Sequence, residues 1–381
     1  MPTYIDSEIS IKNSIFACFL KSKSITSPTT KKSLHMNRSV SLICLAAILA
    51  LVSSVSAQSV TTIPVGFTTA AVTAAADVNN PASTVISVPF YAPASFVGGV
   101  STVDSSNQLS ITGAAFTPGQ YAATPFLARL KSGASTGRFF IVSGNTATQL
   151  TLDTTTAGYT LTTGAPSTTQ AQVVAGDSVE ILPANTLSSL FGSTAGTVPF
   201  QQGSSASLAD NVYLFNGSSW EVCFYNGTHW RQVANLNNQD NKIVLPDRGI
   251  FLIRRGTGVL NLTFLGTVPS TTERTDLTGP GSTFKSNRFP VDTTLGALAL
   301  QNLPSWQSNA SASLADNVYL WEGANWGVYF YNNTTSHWRR VSNLNNQDTK
   351  AVPLGTAMFV IRQSAAAGST STFTQVLPYT L

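Results

Sequence analysis

One passage, SLADNVYLFNGSSWEVCFYNGTHWRQVANLNNQD at 207–240, returns as SLADNVYLWEGANWGVYFYNNTTSHWRRVSNLNNQD at 313–348. Short runs rich in Val, Tyr, Phe and Trp alternate in it with Asn-Gly pairs, which is strand-and-turn patterning. NVYLF, SSWEVCFY and THWRQV therefore predict a three-stranded meander, made twice. Asn216-Gly217 and Asn226-Gly227 suit type I′ hairpins, where both central residues take positive φ. In the second passage the first turn is Glu322-Gly323, and the second has grown to NNTTS, an insertion that a hairpin tip tolerates. Strand alternation places Trp220, Val222 and Phe224, with Trp326, Val328 and Phe330, on one face, which is expected to be core. Glu221, Cys223 and Tyr225, with Gly327, Tyr329 and Tyr331, occupy the other face, under a second sheet or partly solvated.

The likeness runs past the meander. IVLPDRGIFLIRR (243–255) aligns with AVPLGTAMFVIRQ (351–363), and TFLGTVP (263–269) with TFTQVLP (372–378). The expected organisation is all-β: an N-terminal β-rich domain at 58–176, then two tandem β-sandwich-like repeat units at 177–269 and 286–381. The polar, Gly/Pro-containing stretch at 270–285 reads as a linker between them. Further strands are expected in TVISVPFYA, QLSITG, GRFFIVSG, TQLTLD and SVEIL. One short helix is expected in NTLSSLFG, capped by Asn185.

The N-terminus bears on compartment and charge. Residues 1–35 read as an upstream extension, and MNRSVSLICLAAILALVSSVSA (36–57) as a secretory signal peptide cut after Ala57. Its apolar run is short for a transmembrane helix, which needs about 20 residues. Six of the 21 basic and two of the 17 acidic residues precede Gln58, leaving 15 of each. The overall charge of +4 thus belongs to the leader. A balanced mature chain offers no phosphate-seeking patch, so nucleic acid is not an expected partner. The same leader takes Cys18 and Cys44, so Cys223 is left without a disulfide partner and reads as a small buried hydrophobe.

No nucleophile elbow, phosphate loop, zinc helix or paired-cysteine motif occurs, and neither a metal nor a cofactor is expected. His229 and His337 occupy equivalent hairpin ends and read as surface histidines. Of the duplicated acids, Asp210/Asp316 and Asp240/Asp348 are the pairs that a glycoside hydrolase could use, yet both lie in turn-like text that their side chains can hold. The candidate ligand-binding residues are Trp230, Arg231, Trp338 and Arg339. A ring face covers the C–H face of a sugar while planar polar groups bond its hydroxyls, but a repeated Trp is also a common core residue.

TTIPVGF (61–67), SVPFYAPASFVGGVSTV (87–103), the Gly-Arg-Phe-Phe-Ile-Val strand and GDSVEILPANTLSSLF (176–191), behind a signal peptide, resemble a family of uncharacterised exported β-rich proteins. These occur as multiple paralogues in verrucomicrobial-type bacteria. The resemblance implies bacterial export and lends no catalytic residues. The combined expectation is an exported protein, periplasmic, cell-surface or extracellular, with a structural or adhesive role. A bivalent carbohydrate-binding protein is the second reading and a secreted glycan-active hydrolase the third. Polysaccharide or other cell-surface components are the expected partners.

Overall fold

The computed structural model describes residues 63–122, 124–194, 196–363 and 370–380, so the expected extension and signal peptide lie outside the described residues. These residues form one compact unit, whose regular structure is almost wholly strand.

β1 (Val65–Val72) and β2 (Ala82–Ile86) come first. The next stretch holds β3 (Phe96–Ser105), β4 (Gln108–Ile111), β5 (Phe126–Leu130), β6 (Phe139–Asn145) and β7 (Gln149–Asp153). After a helical turn, α1 (Thr154–Ala157), come β8 (Thr160–Thr162), β9 (Gln170–Gln172) and β10 (Ser178–Pro183). Six of these strands close a barrel in the order β10-β3-β4-β7-β6-β5. Its interior is filled by alternate residues such as Val100, Leu109, Phe140, Leu150, Leu152, Val179 and Ile181.

The chain continues through α2 (Leu187–Phe191), β11 (Asn211–Phe215), β12 (Trp220–Tyr225), β13 (Trp230–Gln232), β14 (Ile250–Arg254) and β15 (Leu260–Thr267). It then runs through β16 (Glu273–Leu277), β17 (Gly281–Ser286), β18 (Thr293–Thr294), α3 (Leu295–Leu298), β19 (Asn317–Trp321) and β20 (Trp326–Asn332). β21 (His337–Arg340), β22 (Ala351–Val352), β23 (Ala357–Arg362) and β24 (Ser371–Gln375) complete it. Two five-stranded sheets result, β13-β12-β11-β14-β2 and β21-β20-β19-β23-β17, whose orders coincide position by position. Registers coincide too: Tyr213 opposes Val222 and Phe251, as Tyr319 opposes Val328 and Phe359. Each sheet has a two-stranded ribbon, β1-β15 or β16-β24, over its inner core.

Three expectations about boundaries need correction. β1 and β2, expected in the N-terminal domain, pair with β15 and β14 of the first sheet assembly. β10, expected in the first repeat unit, instead closes the barrel against β3 and β5. The barrel is thus set between β2 and α2 of another layer. The expected linker holds β16 and β17, which pair with β24 and β23. Its polarity misled because β16 buries alternate residues, Glu273, Thr275 and Leu277, among charged partners rather than exposing them to water.

Faces and turns also differ from expectation. Cys223 and Tyr225 turn into the core with Val212, Trp230 and Leu252. The Trp220 face, with Phe215 and Phe251, meets Trp321, Trp326 and Phe359 of the second sheet across an aromatic layer. Alternation fixes which side chains share a face but not which face turns inward, and here one face is core and the other is partly covered, with Trp220 still 36% exposed. The hairpin glycines do take positive φ (Gly217 106°, Gly227 99°), but their asparagines do not. Instead Asn216 Oδ1 accepts the Ser218 and Ser219 N–H groups at 3.0 and 2.9 Å, an Asx turn repeated at Asn226. Helix α2 is capped by Thr186, in a capping box with Ser189, rather than by Asn185.

A buried ionic cluster joins the barrel to both sheet assemblies. Glu273 on β16 accepts from Arg129 on β5 and from Arg288, and Tyr91 donates to it at 2.8 Å. Arg129 also donates to Glu180 on β10 at 2.7 Å. Burial alone would favour the neutral form of Arg129, but Tyr91, Glu273 and Glu180 hold it above its ordinary value. Lys285, fully buried beside this cluster, has no hydrogen-bond partner for Nζ among the described residues and lies 4.1 Å from the centre of the Phe373 ring. Burial, with Arg288 adding to it, pushes its ammonium down to about 7. An unfolded lysine titrates near 10.4. The unfolded chain therefore binds more protons across that window, and stability should rise as pH climbs from about 7 toward 10. Lys285→Met should flatten that rise and stabilise the fold at pH 6 by about 1–4 kcal/mol, read from urea midpoints at both pH values.

Candidate functional site

The four residues singled out for ligand binding serve the fold. Trp230 and Trp338 are 0% exposed, each in the core beneath its sheet. The Trp230 indole N–H donates to Gly192 O at 2.8 Å, and that of Trp338 to Gln301 Oε1 at 3.2 Å. Their guanidinium neighbours cap a loop: Arg231 donates to Leu236 O at 3.0 Å and Arg339 to Leu344 O at 2.6 Å. Those leucines stand at φ 57° and 54°, left-handed positions that such carbonyl contacts help hold. Paired stacking platforms at Trp230 and Trp338 are therefore excluded. The hairpin geometry that suggested them instead swings each ring inward at the start of its strand, at the first residue of β13 and the second of β21.

The duplicated acids are structural as well. Asp210 is fully buried, accepts the Gln201, Arg255 and Gly256 N–H groups and pairs with Arg254. Asp316 repeats this with Gln307, Gln363 and Arg362. Asp240 and Asp348 each accept a Trp N–H at 2.8 Å and bond a histidine Nδ1 at 2.6 Å. Burial opposes ionisation of Asp348, but the Trp338 N–H and His337 outweigh it and keep its carboxyl below the ordinary range. Both histidines thus face an aspartate from their own loop, a pairing that the spacing in THW…NNQD could have signalled. Cys223 is buried, and burial pushes its thiol up to about 12, so it is inert at neutral pH. Among the described residues no three His, Cys, Asp or Glu side chains converge as metal ligands, and no helix is long and apolar enough to cross a membrane.

A different place has the geometry of a binding site. Between the barrel and the first sheet runs a trough of about 660 Å³, within the roughly 300–1,000 Å³ of typical ligand pockets. Its floor is apolar, from Ile141 on β6, Leu214 and Phe215 on β11, and Ile243 to Leu245. Its rim is polar, from Thr155 and Thr156 on α1, Asn216, Asn238, Gln239 and Asn241, together with the ion-paired Glu221 and Lys242. Local structure sets that rim. Asp153 caps α1 by accepting the Thr155 and Thr156 N–H groups at 3.0 Å, which presents both threonines to the trough. The 239–244 segment is pinned along the start of α2 by Leu187 N–H to Lys242 O and Val244 N–H to Asn185 O. The Asn241 amide makes no side-chain hydrogen bond among the described residues and is exposed to the trough.

A smaller basin of about 300 Å³ adjoins it, and Thr156, Leu245 and Arg248 line both. Arg138, Arg274, Asp247 and Asp276 complete its charged wall, and Thr168, Thr169, Thr275, Thr278 and Thr370 add hydroxyls. Arg138 Nη2 donates to Ser167 O at 2.8 Å and lies 3.3 Å from Asp276 Oδ1, while its guanidinium rides 4.2 Å from the centre of the Tyr159 ring. Burial raises the Asp276 carboxyl above its ordinary value, against the pull of Arg138 and of the Thr372 hydroxyl that donates to it at 2.5 Å. Sequence reading missed both basins, because their walls come from segments more than a hundred residues apart. No family model, curated protein or solved structure matches the chain, so the residues alone carry the functional argument.

Proposed function

We propose that this is an exported bacterial protein with an adhesive role at the cell surface or outside the cell, which holds a polysaccharide in the trough. Two copies of one β-unit form the frame, and the barrel supplies the far wall of the site. The observation that carries this reading is the trough itself, an apolar floor rimmed by amides and hydroxyls beside the Glu221–Lys242 ion pair. A sugar ring presents C–H faces to such a floor and hydroxyls to such a rim, and carboxamides serve both as donors and acceptors. The family resemblance and the leader at 36–57 support export.

The test incubates residues 58–381 with soluble and insoluble polysaccharides and scores depletion and sugar release separately. Depletion without release is expected, and Asn241→Ala should weaken it about tenfold by removing one bonding amide. Failure to deplete any polymer would sink the proposal. Release of sugar would put the hydrolase reading ahead, with Asp247 and Asp276, which share the small basin, as its carboxylates.

A further inference from the structure

We infer that the small basin takes a carboxylate, so that the polysaccharide is acidic, a uronate polymer. This rests on the reading of the trough as a polysaccharide site. Three guanidinium groups, Arg138, Arg248 and Arg274, face two carboxylates, Asp247 and Asp276, which leaves the wall one positive charge in excess. Arg274 spends its Nε on Thr136 O at 2.8 Å, and the contacts of Arg138 and Arg248 leave the surplus open. Arg138 is 4% exposed, and its Nη2 makes all its hydrogen bonds, to Ser167 O, Asp276 Oδ1 and Thr372 Oγ1. Its Nη1 is buried without a partner among the described residues, as is Thr275 Oγ1 in the same wall. Arg248 reaches only Asp247, with Nε 3.5 Å from Oδ1, too long for a good hydrogen bond.

Buried guanidinium N–H groups without acceptors are costly, and a carboxylate is the group that matches their fork. Arg248 lines both basins, so a sugar ring on the trough floor would bring its uronate group to Arg248 and Arg138 without the chain leaving the trough. Arg138 also ties the barrel to Thr372 on β24, so its substitution would disturb folding as well as binding. Arg248, half-buried and tied only to Asp247, is the cleaner probe.

The experiment compares residues 58–381 on polygalacturonate, on its methyl ester, which keeps the sugar backbone but removes the charge, and on polyglutamate. Polygalacturonate should bind about tenfold or more tightly than the ester, since hydrogen bonds to a charged group are the stronger class. Arg248→Gln should reduce that preference to within about twofold and Arg248→Lys to an intermediate value, because a point charge cannot replace the fork. Arg248→Lys keeps a charge beside the buried Asp247 and should melt as the parent does, and circular dichroism at the binding temperature checks that Arg248→Gln is folded, which separates loss of the site from loss of the fold. Equal binding of acid and ester would overturn the carboxylate inference while leaving the trough reading intact. Polyglutamate bound as tightly as polygalacturonate would overturn the saccharide assignment, and binding to neutral polymers alone would overturn the inference outright. No binding to any polymer would fail the trough reading as well.

Discussion

Glu273→Gln should lower the stability of residues 58–381 by about 3–5 kcal/mol, read as a fall in the urea midpoint at an unchanged slope. Glu273 is fully buried and is the shared acceptor of Arg129 and Arg288. Glutamine keeps the shape but leaves two buried guanidinium groups with one neutralising charge fewer. Breaking a buried pair in this way costs far more than an intact pair contributes, because the remaining charge has lost its water without compensation. Tyr91→Phe is the control: it removes a hydroxyl and leaves every charge, and about 1 kcal/mol should be lost. Equal losses for the two variants would show that the cluster is held by its hydrogen bonds and not by its charge balance.

Trp338→Ala should cost about 3–5 kcal/mol, and Trp230→Ala a similar amount, as expected for emptying a core site of its largest side chain. Each ring is enclosed by aromatic neighbours, Trp306 and Tyr331 around Trp338, and Phe191, Phe200 and Tyr225 around Trp230. Conservative Trp→Phe changes should lose less, chiefly the indole N–H bond and part of the packing. If either alanine variant kept its melting temperature but lost polysaccharide capture, the assignment of that ring to the core would fall.

The meanders were legible because their signals are local. Turn asparagines, glycines and the alternation of NVYLF and WEVCFY act within a few residues, and β11 to β13 and β19 to β21 lie where that text places them. The indirect signal of the second passage also held, since its longer turn falls between β20 and β21. What escaped depends on distant partners. ERTDL reads as soluble linker until Arg129, Arg288 and Arg138 surround it, and those residues are contributed by the barrel and by the loop after β17. One clue was present: TFTQ in the second passage needs a partner strand, as TFLG does, and VGFTTAAV supplies the latter. The candidate site was less legible still, because Thr155, Asn241, Arg248 and Asp276 share no motif. They meet only because the barrel leans on the first sheet.

The manner of that insertion has a consequence for descent. The barrel begins at Phe96 and ends near Ile181, and these two residues are paired neighbours in adjacent strands. A module whose two ends touch can be exchanged, lengthened or deleted without prying apart the layer that carries it. In the second assembly the same junction is crossed by the few residues between β17 and β18. A chain of this design can therefore exchange that one cassette while the frame of paired sheets stays intact.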